Sequence, residues 1–267
     1  MTGIAVLGGG NLGRALALGW VAADIAPASD IHVTRRQTEK LDDLASLGFG
    51  VTDDNRAAVT GCDVVVLAVQ PQQLDSLLEE VAPAFEAGRH RVISVVSGAS
   101  IARLREKVPE GVTVVRAMPN TAVSIGESMT CLSADEADAA VLEEAVRLFD
   151  AVGETLVIRE EMMVPATALC ACGVAFFLRC IRAASQGGIE IGFHPEEALL
   201  LAGQTARGAA ALSLKEDTHP EGEIDRVTTP RGCTIAGLNE MEHQGLSSAL
   251  IKGLIVSARA AEGLYRD

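Results

Sequence analysis

The chain has 267 residues, enough for one large or two modest domains, and 48% hydrophobic against 22% charged residues describes a globular core. Aromatic residues make up only 3%, so that core must be built from Ala, Val, Leu and Ile. A net charge of −14 argues against nucleic acid or an anionic membrane as partner, because binding phosphate requires clustered cations.

Any anionic ligand must therefore be held locally, by backbone amides and a few placed arginines. The first predicted elements supply such a place. Ile4–Leu7 reads as a buried strand and runs into Gly8-Gly9-Gly10-Asn11-Leu12-Gly13, after which Leu12–Ala23 reads as a helix. Strand, glycine turn and helix start together make a dinucleotide-binding fingerprint. Gly8 permits the tight turn, Gly10 lets the backbone approach a pyrophosphate, and Gly13 lets the helix pack on the strand. The diphosphate would rest on the free N–H groups near Asn11 and Leu12, at the positive end of the helix dipole.

The second strand, Ile31–Thr34, ends in Thr34-Arg35-Arg36. An acid at this position would accept hydrogen bonds from the ribose 2′-hydroxyl of NAD, whereas paired guanidiniums suit a 2′-phosphate. The expectation is NADP(H), with NADH use left open. A helix over Glu39–Leu47 follows, and Asn55 falls in a polar turn four residues after Val51. Strands are predicted at Val64–Val69, Val92–Val96, Thr113–Ala117, Met129–Ser133 and Glu154–Ile158, with helices at Gln72–Ala87, Ser100–Lys107 and Asp135–Ala151. Near-continuous apolar runs such as Val64 to Val69 suit parallel strands buried on both faces. Ala68, Val69 and Gln70 end one strand, Ser97 another, and Met118 and Asn120 a third, all on the carboxyl edge where ligands bind in doubly wound sheets.

After Ile158 the strand signal stops. Met162–Ser185, Pro195–Lys215 and Thr234–Leu264 read as helices, broken at Gly187-Gly188, at Gly192–Pro195 and across a polar loop from 216 to 232. The expected organisation is α/β, with a Rossmann-like dinucleotide-binding domain over 1–160 and an all-α domain over 161–267, whose wide apolar faces rich in Ala, Gly and Leu point to packing against another subunit. The apolar run Ala166–Leu178 is read as too short to span a bilayer, and no leader pattern opens the chain. The six cysteines form neither a CxxC pair nor a metal-ligand spacing, which fits buried thiols in a reducing cytoplasm and no metal.

Three further blocks carry a resemblance: Ala68-Val69-Gln70-Pro71, Arg116-Ala117-Met118-Pro119-Asn120-Thr121, and Val227-Thr228-Thr229-Pro230-Arg231-Gly232-Cys233-Thr234-Ile235-Ala236-Gly237-Leu238. With the glycine turn, they closely resemble pyrroline-5-carboxylate reductases over essentially the whole chain. The resemblance implies hydride transfer from NAD(P)H to a cyclic imine, giving L-proline. It also implies a homodimer or larger homo-oligomer formed through the C-terminal helices, and a substrate loop contributed across the dimer where the two domains meet. By the same resemblance, Thr234 is the hydroxyl nearest the imine nitrogen and Asn55 matches an asparagine near the adenosine ribose. Thr229 stands where serine is usual.

The residues of that loop fit the role. A polar loop turning into a helix near Thr234 presents orphan N–H groups at about Gly232, Cys233, Thr234 and Ile235, able to hold a small carboxylate. Thr234 equally suits a plain helix cap. The five histidines lack a partner motif, and a readily protonated imine needs positioning more than a dedicated acid.

Several positions depart from the family pattern. Gln70 replaces a common lysine, Arg231 the first glycine of a pair, and Cys233 a small or hydroxylated residue. Residues 168–176 carry Cys170 and Cys172 where Ser and Gly prevail, with Val174 for proline, and Arg182 and Gln186 stand where acids are common. Alternatives are a reductase of a related cyclic imine and a non-catalytic dinucleotide-binding regulator. A β-hydroxyacid dehydrogenase is disfavoured, since Lys215 and Lys252 lie in no catalytic motif.

Overall fold

Residues 3–215 and 217–263 are described by a computed structural model, in which the chain divides into two compact units. One runs to Cys172 and includes the residues from Ser257 onward; the other is Gly173–Val256.

The first unit is built on an eight-stranded sheet in the order β3-β2-β1-β4-β5-β6-β7-β8. The strands are β1 (Ile4–Leu7), β2 (Ile31–Thr34), β3 (Gly50–Thr52), β4 (Val64–Leu67), β5 (Arg91–Ser94), β6 (Thr113–Met118), β7 (Ser128–Ala134) and β8 (Gly153–Val157). All neighbours pair in parallel except β6 and β7. The crossover helices are α1 (Asn11–Ala22), α2 (Asp42–Ser46), α3 (Asn55–Gly61), α4 (Pro71–Val81), α5 (Ile101–Lys107) and α6 (Ala139–Asp150). From Glu160 the backbone is helical, through α7 (Met163–Ala166) and a widened π-helical turn at Thr167–Ala171.

Alternation along the strands sorts the core into two layers. Val6, Val33, Val66 and Ile93 point to one face with Leu16, Trp20 and Phe149, while Leu7, Val65, Leu67 and Val92 point to the other with Leu74 and Leu104. That is why β4 has no polar position. Each fully buried side chain of this size contributes about 1.5–3 kcal/mol relative to exposure. Trp20 fastens α1 to α6, donating its Nε1–H to the Leu148 carbonyl at 2.8 Å and meeting Phe149 edge-on.

The second unit holds α8 (Gly173–Glu190), α9 (Pro195–Ser213), α10 (Pro220–Val227), α11 (Cys233–His243) and most of α12 (Leu246–Ala261). The break expected at Gly187-Gly188 is absent, because a Cβ on Gly188 would sit 3.1 Å from that of Ala198. The glycine serves a close approach of α8 to α9, and the chain turns instead after Glu190, with Gly192 at φ +115°. The loop expected over 216–232 contains α10. There Pro220 occupies the first turn, and His219 accepts the Glu221 N–H on its Nδ1 at 3.2 Å. Proline starts a helix at that position rather than breaking it. The last helical stretch is interrupted at Gly245, φ +81°.

Two short elements escaped the sequence pattern. β3 has only three residues, and α3 makes Asn55 the first residue of a helix rather than part of a polar turn, with Asp54 capping it through the Ala57 N–H. The bilayer argument also changes. The helical stretch Glu160–Glu190 spans 31 residues and holds an 18-residue window of mean hydropathy 1.9, long and apolar enough by length and composition alone to cross a membrane. The shorter run Ala166–Leu178 understated it, because the helix continues through Pro165 at one end and the glycines at the other.

Candidate active site

The cleft lies where β1 and β4 end, the point at which strand order reverses and doubly wound sheets bind ligands. It encloses about 910 Å³, lined by the glycine turn, the end of β2, Asn55, the end of β4 and one face of α4.

The glycines divide the work by geometry. Gly8 sits at φ +119°, and a Cβ there would come 2.5 Å from the Ala68 carbonyl oxygen. At Gly13 a Cβ would collide with the Gly8 carbonyl and crowd Val6 on β1. At Gly10 it would meet nothing within 4 Å, so this backbone stands open to the cleft. Gly10 is also the N-cap of α1, with no side-chain cap and no acid in the first turn. The helix's first N–H groups therefore have no side-chain acceptor, which is the arrangement that binds phosphate.

The two arginines after β2 differ. Arg35 is half-buried and braces the glycine turn, its Nη1 donating to the Gly9 carbonyl at 2.7 Å. Arg36 is exposed on the cleft rim. Behind them the Thr34 hydroxyl donates to Asn55 Oδ1 at 2.6 Å, and Asn55 Nδ2 donates to the Glu80 carboxylate at 3.1 and 3.2 Å. Gln70 caps α4, its side chain accepting from the third residue while Gln73 reaches back to its N–H. A dinucleotide carrying a 2′-phosphate fits this set: an open glycine backbone, uncapped amides and two guanidiniums.

Of the residues singled out in the sequence, Gly8, Gly10, Thr34, Arg35, Arg36, Asn55, Ala68, Val69 and Gln70 line the cleft together. Asn11, Leu12 and Gly13 follow in α1 without lining it, and neither do Ser97, Met118 and Asn120. Met118 is buried, with the Ser97 hydroxyl 3.9 Å from its sulfur. Asn120 is tied down locally, accepting the Ala122 N–H at 2.9 Å and donating to the Cys170 carbonyl at 3.4 Å. Gln73, Leu77 and Glu80 were missed. They recur at helical spacing on α4, a face that periodicity alone could have flagged.

In the helical unit, Thr229 precedes α11, Gly232 is its N-cap, and Cys233, Thr234 and Ile235 form its first turn. The Gly232 N–H is not an orphan as expected, since it donates to the Thr229 carbonyl at 2.9 Å. Cys233, Thr234 and Ile235 keep theirs without a side-chain cap. Thr234 is not the cap, so its hydroxyl is not needed to start the helix. Arg231 adopts φ +59°, the left-handed conformation that favours glycine, which is where the resembling sequences place one. Among the described residues no cluster of His, Cys, Asp and Glu could hold a metal ion.

Sheet order, glycine turn and cleft define a Rossmann-type dinucleotide-binding oxidoreductase. Residues 3–98 match the family described as NADP oxidoreductase coenzyme F420-dependent, and residues 160–264 match pyrroline-5-carboxylate reductase dimerisation. The chain is 47% identical to pyrroline-5-carboxylate reductase 2 of Dictyostelium discoideum, over 96% of this chain and 90% of that protein. It is 50% identical to reductase 1 of the same organism over 98% of its length, although it spans only 50% of that longer relative. A structure of a pyrroline-5-carboxylate reductase from Coxiella burnetii superposes with a TM-score of 0.89 at 31% identity, covering 100% of this chain and 99% of the other. One from Plasmodium falciparum, with NADP bound, shares the fold at a TM-score of 0.90 and 23% identity, covering 99% and 98%. The chain belongs to the pyrroline-5-carboxylate reductase family.

Proposed function

We propose that this chain reduces 1-pyrroline-5-carboxylate to L-proline with NADPH, the last step of proline biosynthesis. The observation that carries the reading is family membership along the whole chain, joined to a cleft whose charged rim suits a 2′-phosphate. NADPH, when bound, supplies the hydride that the protonated imine carbon accepts. The protein's part is to hold and orient. Gly8, Gly10 and Gly13 shape the phosphate turn, and the amides of Asn11 and Leu12 face the diphosphate. Arg35 and Arg36 favour the 2′-phosphate, Asn55 and Thr34 serve the ribose, and Ala68, Val69, Gln70, Ser97, Met118 and Asn120 serve the nicotinamide side.

The first-turn amides of α11, at Cys233, Thr234 and Ile235, bind the substrate carboxylate, with Thr229 and Gly232 shaping the loop. The Thr234 hydroxyl is the group we assign to the imine nitrogen. Residues 161–267 act as the dimerisation and substrate domain of a homodimer or larger homo-oligomer. The enzyme works in the cytoplasm; Arg179 and Arg182 within the apolar helical stretch support a protein environment for it, since each guanidinium at a bilayer centre costs about 2.5–3.5 kcal/mol.

The test is NADPH oxidation by the purified full chain on pyrroline-5-carboxylate, beside the six-membered homologue. Thr234→Ala is expected to lower kcat by about 10²-fold, the usual scale for a positioned proton-handling group, with little change in NADPH affinity. A folded protein that turns over neither imine would overturn the reading, and equal loss of kcat and NADPH affinity would overturn the role of Thr234. Faster turnover of the larger ring would favour the related-imine reading.

A further inference from the structure

Two thiols outside the nucleotide cleft face each other. Cys131 on β7 and Cys170 in the π-helical turn have sulfurs 3.8 Å apart, and both lie in the first compact unit. Cys131 is buried with Met118, Met163 and Ala166, while Cys170 is half-buried at the edge of that cluster. A disulfide needs its sulfurs about 2.05 Å apart, so closure asks for under about 2 Å of relative movement.

We propose that Cys131 and Cys170 form a dithiol modification site for hydroperoxides, closing to a disulfide that ties β7 to the π-helical turn. The roles of the two sulfurs are unequal. The hydrogen bond from Cys131 draws the Cys170 thiol down to about 7 against the opposing effect of burial, while that same bond and burial push Cys131 up. The Cys170 thiolate attacks the outer peroxide oxygen. The O–O bond breaks, the leaving oxygen takes a proton, and Cys170 becomes a sulfenic acid as the peroxide is reduced. The Cys131 sulfur then attacks the Cys170 sulfur, the S–O bond breaks, and the departing hydroxide leaves as water with the Cys131 proton. Two thiols and one hydrogen peroxide thus give one disulfide and two waters.

The bond would reach the residues assigned to the nicotinamide side. Cys131 is the cross-strand partner of Met118, and the Cys170 carbonyl accepts the Asn120 side chain. Moving either displaces Met118 or Asn120, and misplacement by about 1 Å can cost up to about a hundredfold in rate. This consequence for turnover rests on the proposed reductase function; the cross-link does not.

The test treats reduced full-length protein with one equivalent of hydrogen peroxide, followed by intact mass and peptide mapping. Expected are the loss of two hydrogens, a linked Cys131–Cys170 peptide, and NADPH oxidation that falls at least about tenfold and returns with dithiothreitol. Cys131→Ser should instead give a dimedone-trapped sulfenic acid at Cys170 with no cross-link, and Cys170→Ser neither product. Cys172→Ser should cross-link like the parent. Oxidation that begins at Cys172, Cys180 or Cys233, or no linked peptide at all, would overturn the proposal. A linked peptide in a protein that never reduces pyrroline-5-carboxylate would leave the site standing and remove the reductase reading instead.

Discussion

Replacing Arg36 with alanine is expected to weaken NADPH while leaving NADH nearly untouched, and replacing Arg35 is expected to weaken both. The two guanidiniums are adjacent in sequence but do different things. Arg35 holds the Gly9 carbonyl at 2.7 Å and its backbone N–H donates to the Thr52 carbonyl at 3.1 Å, so it sets the turn that any dinucleotide must meet. Arg36 stands exposed on the rim, where its charge is available only to a group reaching that far.

A hydrogen bond to a charged partner contributes about 1.5–3 kcal/mol, and exposure to solvent and salt brings Arg36 to the lower end. At about 1.4 kcal/mol per decade, its loss raises the NADPH dissociation constant roughly tenfold. Removing Arg35 forfeits a similar contact and also unbraces the Gly9 carbonyl, so NADH should lose several-fold as well. Fluorescence titration with each dinucleotide, beside KM values at saturating imine, measures both. An Arg36→Ala protein that loses NADPH and NADH equally, or an Arg35→Ala protein that spares NADH, would refute this division of labour.

Glu160→Ala should destabilise the fold by about 3 kcal/mol, because Glu160 Oε1 accepts both the Ile101 N–H at 2.6 Å and Nη1 of Arg116 at 3.1 Å, and Arg116 is only 5% exposed. Urea unfolding reads this; a loss below about 1 kcal/mol would contradict it, and pairing Glu160→Leu with Arg116→Met should recover most of the stability. Arg231→Gly removes the left-handed strain at φ +59° and should stabilise the protein by about 1 kcal/mol, seen as a Tm rise of a few degrees; a fall in Tm would show that the arginine earns its place by contacts. Gly10→Ser should fold normally, since an added Cβ meets nothing, yet weaken NADPH and NADH alike by filling the open approach and supplying a competing helix cap; unchanged binding of both would deny the turn its role.

The elements that sequence reveals best here are those whose pattern serves one purpose. β4 is apolar at every position because two core layers claim alternate residues, and such a run has no competing reading. The glycine turn was equally plain, since Gly8 and Gly13 are forced by backbone collisions that no other residue escapes. Gly187-Gly188 misled because glycine serves close packing as well as turning, and only the position of Ala198 decides between them. The polar stretch 216–232 reads as a loop for a related reason: Pro220 can end one structure or begin another, and the His219 cap settles which. Helical spacing places Glu80 on one face of α4 with Gln73 and Leu77, but its link to Asn55 joins residues 25 apart, a contact that local periodicity does not encode.

Helix capping explains how so acidic a chain can hold anions without the lysine that Gln70 replaces. Among the described helices, α3, α5 and α10 start with an acceptor side chain on a backbone N–H, from Asp54, Ser100 and His219. α4 and α9 are closed by the reciprocal boxes of Gln70 and His194. α1 and α11 start instead on Gly10 and Gly232, with no side-chain cap and no acid in the first turn. Leaving a helix start uncapped forgoes a fraction of a kcal/mol up to about 2 kcal/mol, and the exposed amides gain little from water beyond what a serine would have given. The two glycine starts fall in the glycine turn and in the C-terminal block, two of the stretches that carry the family resemblance, one assigned to a diphosphate and the other to a carboxylate. α6 also starts without a side-chain cap, but there the Asp138 carboxylate is taken up by Arg105 and the Val114 N–H. Gln70 can then be spent on closing α4, because the positive potential that a lysine would bring is already supplied by oriented amides at α1 and by guanidiniums at the end of β2.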